Sequence, residues 1–303
     1  GIAGSFVKGA SNNKSDGLFT SGSWNASAVV KMGSNYKNAM TQSILKIYTT
    51  GSQLDTSANN FLIYNLVATN DYNNVGSKGR VTLFGRPGSS TNSKILSMSI
   101  DANIFDGNSW TVSFGRFRND MSGAIKAISS SYYLRLGRVG LSGLSEFKET
   151  SKFFGDSESN VLNTVSSVNN ASGTFIVAGP IELKRDPAQN CHHLNTAADP
   201  LSRVLNFSGK LSSLRFYTKA FDISESKVHF RNPLSLGVKN PNVNFSFTNS
   251  ESGSFERLRM DLSLNQPDNS TDASGSIRVF DFSQNNFHGI ASGFASETRV
   301  IKP

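Results

Sequence analysis

Apolar residues recur at every second position in many short segments of this chain. Trp24, Ala26, Ala28, Val30 and Met32 form one such series. Leu45 and Ile47 follow, then Phe61, Ile63 and Val67, then Val81 and Leu83, then Leu96, Met98 and Ile100. Trp110, Val112 and Phe114 make another set, followed by Leu134 and Leu136, Phe175 and Val177, and Leu214 and Phe216. Leu258, Met260, Leu262 and Leu264 begin a new series. A period of two places alternate side chains on one face, so each set predicts a half-buried strand. The spacers are rich in Ser, Asn and Gly, which make turns: Gly reaches positive φ, and Asn and Ser bond to their own backbone. Many short strands with polar turns predict a sandwich or barrel.

One segment predicts a helix. In Asp222-Ile223-Ser224-Glu225 the Asp222 side chain can accept from the amide of Glu225, and Glu225 can reach back to the amide of Asp222. The helix should run to about Asn232, where Pro233 stops it. Residues 145–172 have weak periodicity and many Ser, Asn and acidic residues, and are expected to form an inserted loop. Residues 184–203 have the same character. Loops of that length tend to carry contacts. Asn240-Pro241-Asn242 marks an expected boundary near 238–243.

Composition narrows the class. Hydrophobic residues make up 37% and charged residues 17% of 303, but 22 Phe and many branched aliphatics supply a core. No run of 18 apolar residues exists, so no membrane-spanning helix is expected. The single Cys191 excludes an internal disulfide framework. The net charge is +8, and since residues 236–303 hold 6 basic against 7 acidic residues, the excess sits in 1–235. Those cations are scattered, without blocks or aromatic interleaving, which argues against nucleic acid as partner. The chain starts at Gly1 without Met and so reads as a processed product or a fragment. Gly1-Ile2-Ala3-Gly4-Ser5-Phe6 nearly repeats as Gly289-Ile290-Ala291-Ser292-Gly293-Phe294, which suggests one unit of a tandem array plus the start of the next.

Three motifs carry a resemblance. Asp106-Gly107-Asn108-Ser109-Trp110-Thr111-Val112-Ser113-Phe114 resembles a "D-G-x-W-H-x-V" strand, with Thr111 where His is common. The run from Gly209 to Phe221, with the helix to His229 and Arg231, is similar to a closing strand "G-x-L-S-E-V-R-I-Y-N-R-A-L-S" and its "E-I-x-x-H-Y" helix. Asp281-Phe282-Ser283-Gln284-Asn285-Asn286-Phe287-His288-Gly289 resembles an opening turn "D-x-S-G-N-x-N-H-G". Together they resemble the concanavalin A-like, laminin G-like jelly-roll domains. The resemblance implies an all-β jelly-roll β-sandwich with a short C-terminal helix and long polar loops. Residues 1–237 would be that domain. Residues 238–303 would be a linker plus opening strands of a second, similar domain, or a tail pairing back on the first.

The chemistry expected from the residues is sparse. Hydrolases of this sandwich class resemble one another in an E-x-D-x-E strand, which sets acids on one face at a spacing for glycoside hydrolysis. This chain has no such triplet; its nearest approach is Glu146 and Glu149, expected in a loop. It has no G-x-S-x-G elbow, H-E-x-x-H or P-loop. His192 and His193 beside Cys191 would point in opposite directions on an extended segment, so a shared metal is not expected. His229, at the closing-helix position of the resemblance, should cap or pack, and His288, at the opening-turn position, should hydrogen-bond within the turn. Laminin G-like domains often bind calcium at the sandwich rim, which makes Asp101, Asp106 and Asp120 the candidate donors, though a hairpin turn at Gly107 would explain Asp106 alone. No other cofactor is expected. Trp24 and Trp110 lie on apolar faces and should pack in the core. Tyr132 and Tyr133 are adjacent, so one should face outward, and Tyr72 lies in a polar segment. Tyr72 and Tyr133 are therefore the candidate glycan contacts. Asn25, Asn170, Asn206, Asn244 and Asn269 each begin an N-x-S/T triplet, which matters only in a eukaryotic secretory route.

The function expected is that of a non-enzymatic structural or interaction module in a larger virion or extracellular surface assembly: a capsid, tail, fibre or filament component. Its partners would be protein neighbours in a homo- or hetero-oligomer. The alternative is a carbohydrate-binding module of a surface adhesin or secreted glycan-active enzyme, with cell-surface glycans as partners. The low Cys and high Ser, Asn and Gly content resembles phage and virus structural proteins, an analogy that does not fix function.

Overall fold

A computed structural model describes residues 2–6, 23–33, 41–50, 61–70, 77–87, 96–120, 128–154, 173–177, 204–205, 207–233, 258–264, 277–283 and 288–291. Tyr72, Cys191-His192-His193, the 184–203 segment and the expected boundary near 238–243 lie outside them.

The strands are β1 (Ile2–Phe6), β2 (Trp24–Met32), β3 (Thr41–Thr50), β4 (Phe61–Asn70), β5 (Gly79–Pro87), β6 (Leu96–Ala102), β7 (Trp110–Asp120) and β8 (Ile128–Gly140). They continue with β9 (Gly143–Phe154), β10 (Gly173–Val177), β11 (Val204–Leu205), β12 (Gly209–Tyr217), β13 (Leu258–Leu262), β14 (Ile277–Val279) and β15 (Gly289–Ala291). One helix, α1 (Ile223–Arg231), follows β12. The strands form a nine-stranded sheet, β14-β15-β1-β10-β3-β4-β5-β6 with β11 beside β3, and a six-stranded sheet, β13-β12-β2-β7-β8-β9. Pairing is antiparallel except between β11 and β3. Among the described residues the fold is an all-β sandwich with one short helix, as the alternation predicts. β13 lies beside β12, and β15 beside β1, where Ile2 faces Ala291 and Ala3 faces Ile290.

The core lies between the sheets. From the six-stranded sheet come Trp24, Ala26, Ala28, Val30, Trp110, Val112, Phe114, Leu134 and Leu136, all at most 2% exposed. Leu66, Val81, Leu83 and Leu96 face them from the other sheet. Trp24 binds the layers: its ring lies 4.8 Å from Tyr64, 5.6 Å from Phe114 and 5.7 Å from Phe216, the last stacked at 15°. On β4 the core face is Tyr64, Leu66 and Ala68, not the Ile63 and Val67 face expected. This strand is apolar on both sides, so period two alone cannot choose between them. On β3 a register shift between Ser43 and Leu45 brings both Ile44 and Leu45 into the core. A bulge places successive residues on one side in this way.

Two expected loops resolve differently. Residues 145–154, expected within a loop, form most of β9, paired along β8 from Gly143 to Phe154. Among the described residues strand β9 is an edge, and the row it shares with the core face of β8 is Glu146, Lys148, Thr150 and Lys152 rather than apolar. Asp106-Gly107 is not the tip of a hairpin, because β6 and β7 belong to opposite sheets and the turn crosses between them. Gly107 takes φ 76°, which glycine adopts without strain.

Helix α1 starts where the sequence places it. Asp222 accepts from the Glu225 amide at 2.6 Å, and Glu225 accepts from the Asp222 amide at 3.1 Å. Both bonds satisfy amides that the first helical turn leaves unpaired. Asp222→Ala should cost about 1 kcal/mol. A urea midpoint that drops for Asp222→Ala and recovers for Asp222→Ser is the expected result.

Candidate functional site

The outer face of the six-stranded sheet carries the densest cluster of polar side chains among the described residues. Alternation sends Asn25, Ser27, Ser113, Tyr133, Arg135 and Arg215 to this face, opposite the core residues of the same strands. Helix α1 and the segment leading into it cover them. Two glycines make the room. A Cβ at Gly137 would run into the Phe230 ring, and one at Gly115 into the Tyr133 hydroxyl and the Trp24 carbonyl.

Arg135 fastens the helix to the sheet. Its Nη1 donates to the Phe221 carbonyl at 2.5 Å, the Asp222 carbonyl at 3.1 Å and Ser226 Oγ at 2.7 Å. Its Nε donates to Glu149 Oε2 at 3.1 Å, and the side chain is only 3% exposed. Its guanidinium lies 4.0 Å from the centre of the Tyr133 ring. The Tyr133 hydroxyl donates to Asn25 Oδ1 at 2.8 Å and accepts from the Phe221 amide at 3.0 Å. Ser113 Oγ also donates to Asn25 Oδ1, at 2.6 Å. Burial pushes the Tyr133 hydroxyl pKa well above its ordinary value. On the far side of the helix, Arg215 donates to Asp261 at 3.0 Å and to the Pro233 carbonyl at 2.8 Å.

This placement corrects the expectation for Tyr133. It does point away from the core, as adjacency to Tyr132 requires, but it is 1% exposed beneath the covering segment. Arg135 lies over its ring, so no ring face is open for stacking on a sugar. Tyr132 turns inward, its hydroxyl 3.1 Å from that of Tyr64. Asn25, the start of an N-x-S/T triplet, is 0% exposed and cannot accept a glycan in the folded chain.

A shallow pocket opens beside α1, lined by Ser27, Thr111, Ser113, Arg215, His229 and Phe230 among others. His229 stacks on Phe221 at 4.4 Å and meets Tyr217 edge-on at 5.7 Å. Burial disfavours its cation, the charges of Arg215 and Lys219 add to that, and its pKa falls to about 4. Packing is thus its role, as expected. The neutral form is the folded form. Between pH ~6.5, where the unfolded imidazole titrates, and ~4, folding must expel a proton. Stability from this group is therefore full above ~6.5 and is lost as pH falls toward ~4, by about 3 kcal/mol. Urea midpoints at neutral pH and near pH 4.5 should differ less for His229→Phe than for the native chain.

The rim acids are already engaged. Asp101 is held by Arg80 through bonds of 2.7 and 3.0 Å, and this hydrogen bonding lowers its pKa despite slight burial. Asp106 accepts from the Asn108 amide and side chain at 2.8 and 2.9 Å, from Trp110 Nε1 at 3.1 Å and from Arg138 at 2.7 Å. Burial works against its charge, but those donors outweigh it and its pKa is lowered. The side chain of Asp120 lies outside the described residues. Among the described residues no three His, Cys, Asp or Glu side chains converge as a metal site would need. Glu146 and Glu149, three apart on β9, fall on opposite faces, where Glu146 pairs with Lys148 and Glu149 with Arg135. They do not act as a pair. The third motif is a staple for β13: Asp281 accepts from the amides of Asp261 and Ser283, and His288 Nδ1 accepts from the Asp281 amide. His288 makes the turn bond expected of it.

Among the described residues the exposed large apolar side chains are Val139 and Leu141 at the β8–β9 turn, Phe153 at the other end of β9, Ile223 on α1 and Phe282 after β14. Val139 is 42% exposed, Leu141 fully so, and Phe153 61%. Strand β7 begins at Trp110, opposite Arg138, so residues 139–144 project past it. The sequence gives no sign of this from apolar alternation, since Leu141 stands alone between Gly140 and Ser142. Arg116 was equally hidden: it continues the inward face of Trp110, Val112 and Phe114, yet it is 0% exposed and donates to Ser130 at 2.9 Å.

Fold and surface define an all-β sandwich module of two antiparallel-rich sheets with a clamped helix. No protein-family model matches the chain, and no curated protein matches it. Among solved structures it is similar to one described as the CBM2 module of Lactobacillus casei BL23 phage J-1 evolved Dit, at 12% identity and a TM-score of 0.30. That match covers 57% of this chain and 58% of the other.

Proposed function

We propose that this chain is a non-enzymatic structural module of a larger virion or extracellular surface assembly, with the sandwich as scaffold and the β8–β9 hairpin as contact surface. Its sandwich would be of the concanavalin A-like, laminin G-like jelly-roll kind, a reading supported by the strand-and-helix motif from Gly209 to Arg231. The observation that carries the proposal is the exposure of Val139 and Leu141 at the projecting turn of that hairpin. Neighbouring apolar side chains held out in solvent at a projecting turn suit a protein contact. The buried polar groups around α1 support the same reading, because they are spent on holding the helix. Leu141→Asp should leave the circular dichroism unchanged and remove the chain from the assembled particle or surface layer, as seen by negative-stain imaging. Isolated monomers in the native source, with binding on a glycan array, would overturn it in favour of a carbohydrate-binding module.

A further inference from the structure

We infer that β9 pairs antiparallel with β9 of a second copy of this chain, centred on Phe147. The inference rests on the assembly reading above and names the partner. Strand β9 is twelve residues long and, among the described residues, is the edge of its sheet, with β8 on one side only. Its outer row of amides and carbonyls is a template for another strand. Charged residues on an edge normally guard it against indiscriminate pairing. Lys148 is such a guard: it donates to the Asp101 carbonyl at 2.8 Å and lies 3.2 Å from Glu146. A matching charge pattern on the incoming strand turns that guard into a selector.

This chain supplies the match to itself. When two β9 strands run antiparallel about Phe147, Glu146 stands opposite Lys148 of the second copy, and Lys148 opposite its Glu146. The symmetry repeats each contact, as an isologous interface requires. One alignment thus satisfies the Glu146 and Lys148 charges of both edges at once. Phe147 itself rests on Phe230, 5.6 Å away, so the strand at the centre is supported from α1.

The test is sedimentation of the purified chain over a wide concentration range. The native chain should dimerise. Glu146→Lys should put like charges opposite each other twice and weaken the dimer by about tenfold, as should Lys148→Glu. The double exchange Glu146→Lys with Lys148→Glu should restore the dimer. A monomer at all concentrations overturns the inference. So does a dimer indifferent to these substitutions, although chain still incorporated into particles would then leave the assembly reading standing.

Discussion

Trp24→Ala should lower the stability of this protein by about 3–5 kcal/mol, the range for emptying a large aromatic site. Trp24 is 0% exposed and stands at the start of β2, with Tyr64 from the opposite sheet and Phe114 and Phe216 from its own around it. Its removal deletes contacts to both layers at once. The backbone beside it cannot close the gap easily, because the Trp24 carbonyl already abuts Gly115. The cavity would remain largely unfilled, and an unfilled cavity is what raises the cost above transfer alone. In a domain of this size the melting temperature should fall by roughly 10 °C. Trp24→Phe should recover most of that loss. Scanning calorimetry on the three chains provides the check. A loss under about 1 kcal/mol would mean that Trp24 does not bridge the sheets.

The residues legible in the sequence were those governed by one local rule. Trp24 to Met32 and Trp110 to Phe114 alternate cleanly, and their apolar faces are the core faces. Asp222 and Glu225 stand three apart, and the capping box forms between them. Strand β4 was harder because Leu62, Ile63, Leu66 and Val67 make both faces apolar, and only the opposite sheet selects one. Edge strand β9 reads as loop in the sequence because its inward row, Glu146, Lys148, Thr150 and Lys152, is polar rather than apolar. The site failed for a related reason. An outward Tyr at 133 is correct from alternation, but α1 returns over that face from nearly ninety residues later, and no period within β8 announces it. Two signals were present. Gly115 and Gly137 interrupt the outward rows of β7 and β8, as a close approach by another segment demands. Arg135, between Tyr133 and Gly137 on that row, is the one long donor able to meet what approaches.

Arg135→Ala is therefore expected to be as costly as the core substitution, for an electrostatic reason. The guanidinium serves two parties that have no other link through it: Glu149 on the neighbouring strand, and the carbonyls of Phe221 and Asp222 with Ser226 at the helix start. Alanine would take its donor from the buried Phe221 carbonyl and leave the Glu149 carboxylate, 25% exposed, without its cation. Breaking a buried charged pair from one side costs about 3–5 kcal/mol, mostly for the partners left behind. Arg135→Lys should restore little, since one ammonium cannot span the fork that reaches both sides. Arg135→Ala with Glu149→Gln should be less damaging than the two separate losses added together, because the second change removes the stranded charge. The failure should also be local before it is global. With the clamp gone, amides of α1 should exchange hydrogen faster while those of β2 and β7 stay protected. Phe230 would then leave Phe147, and the exposed hairpin would lose its support from the helix. Hydrogen exchange that accelerates in α1 and β9 together, with the central strands unchanged, is the expected pattern. Uniform acceleration across both sheets would instead make Arg135 part of the common core rather than the fastening between helix and contact surface.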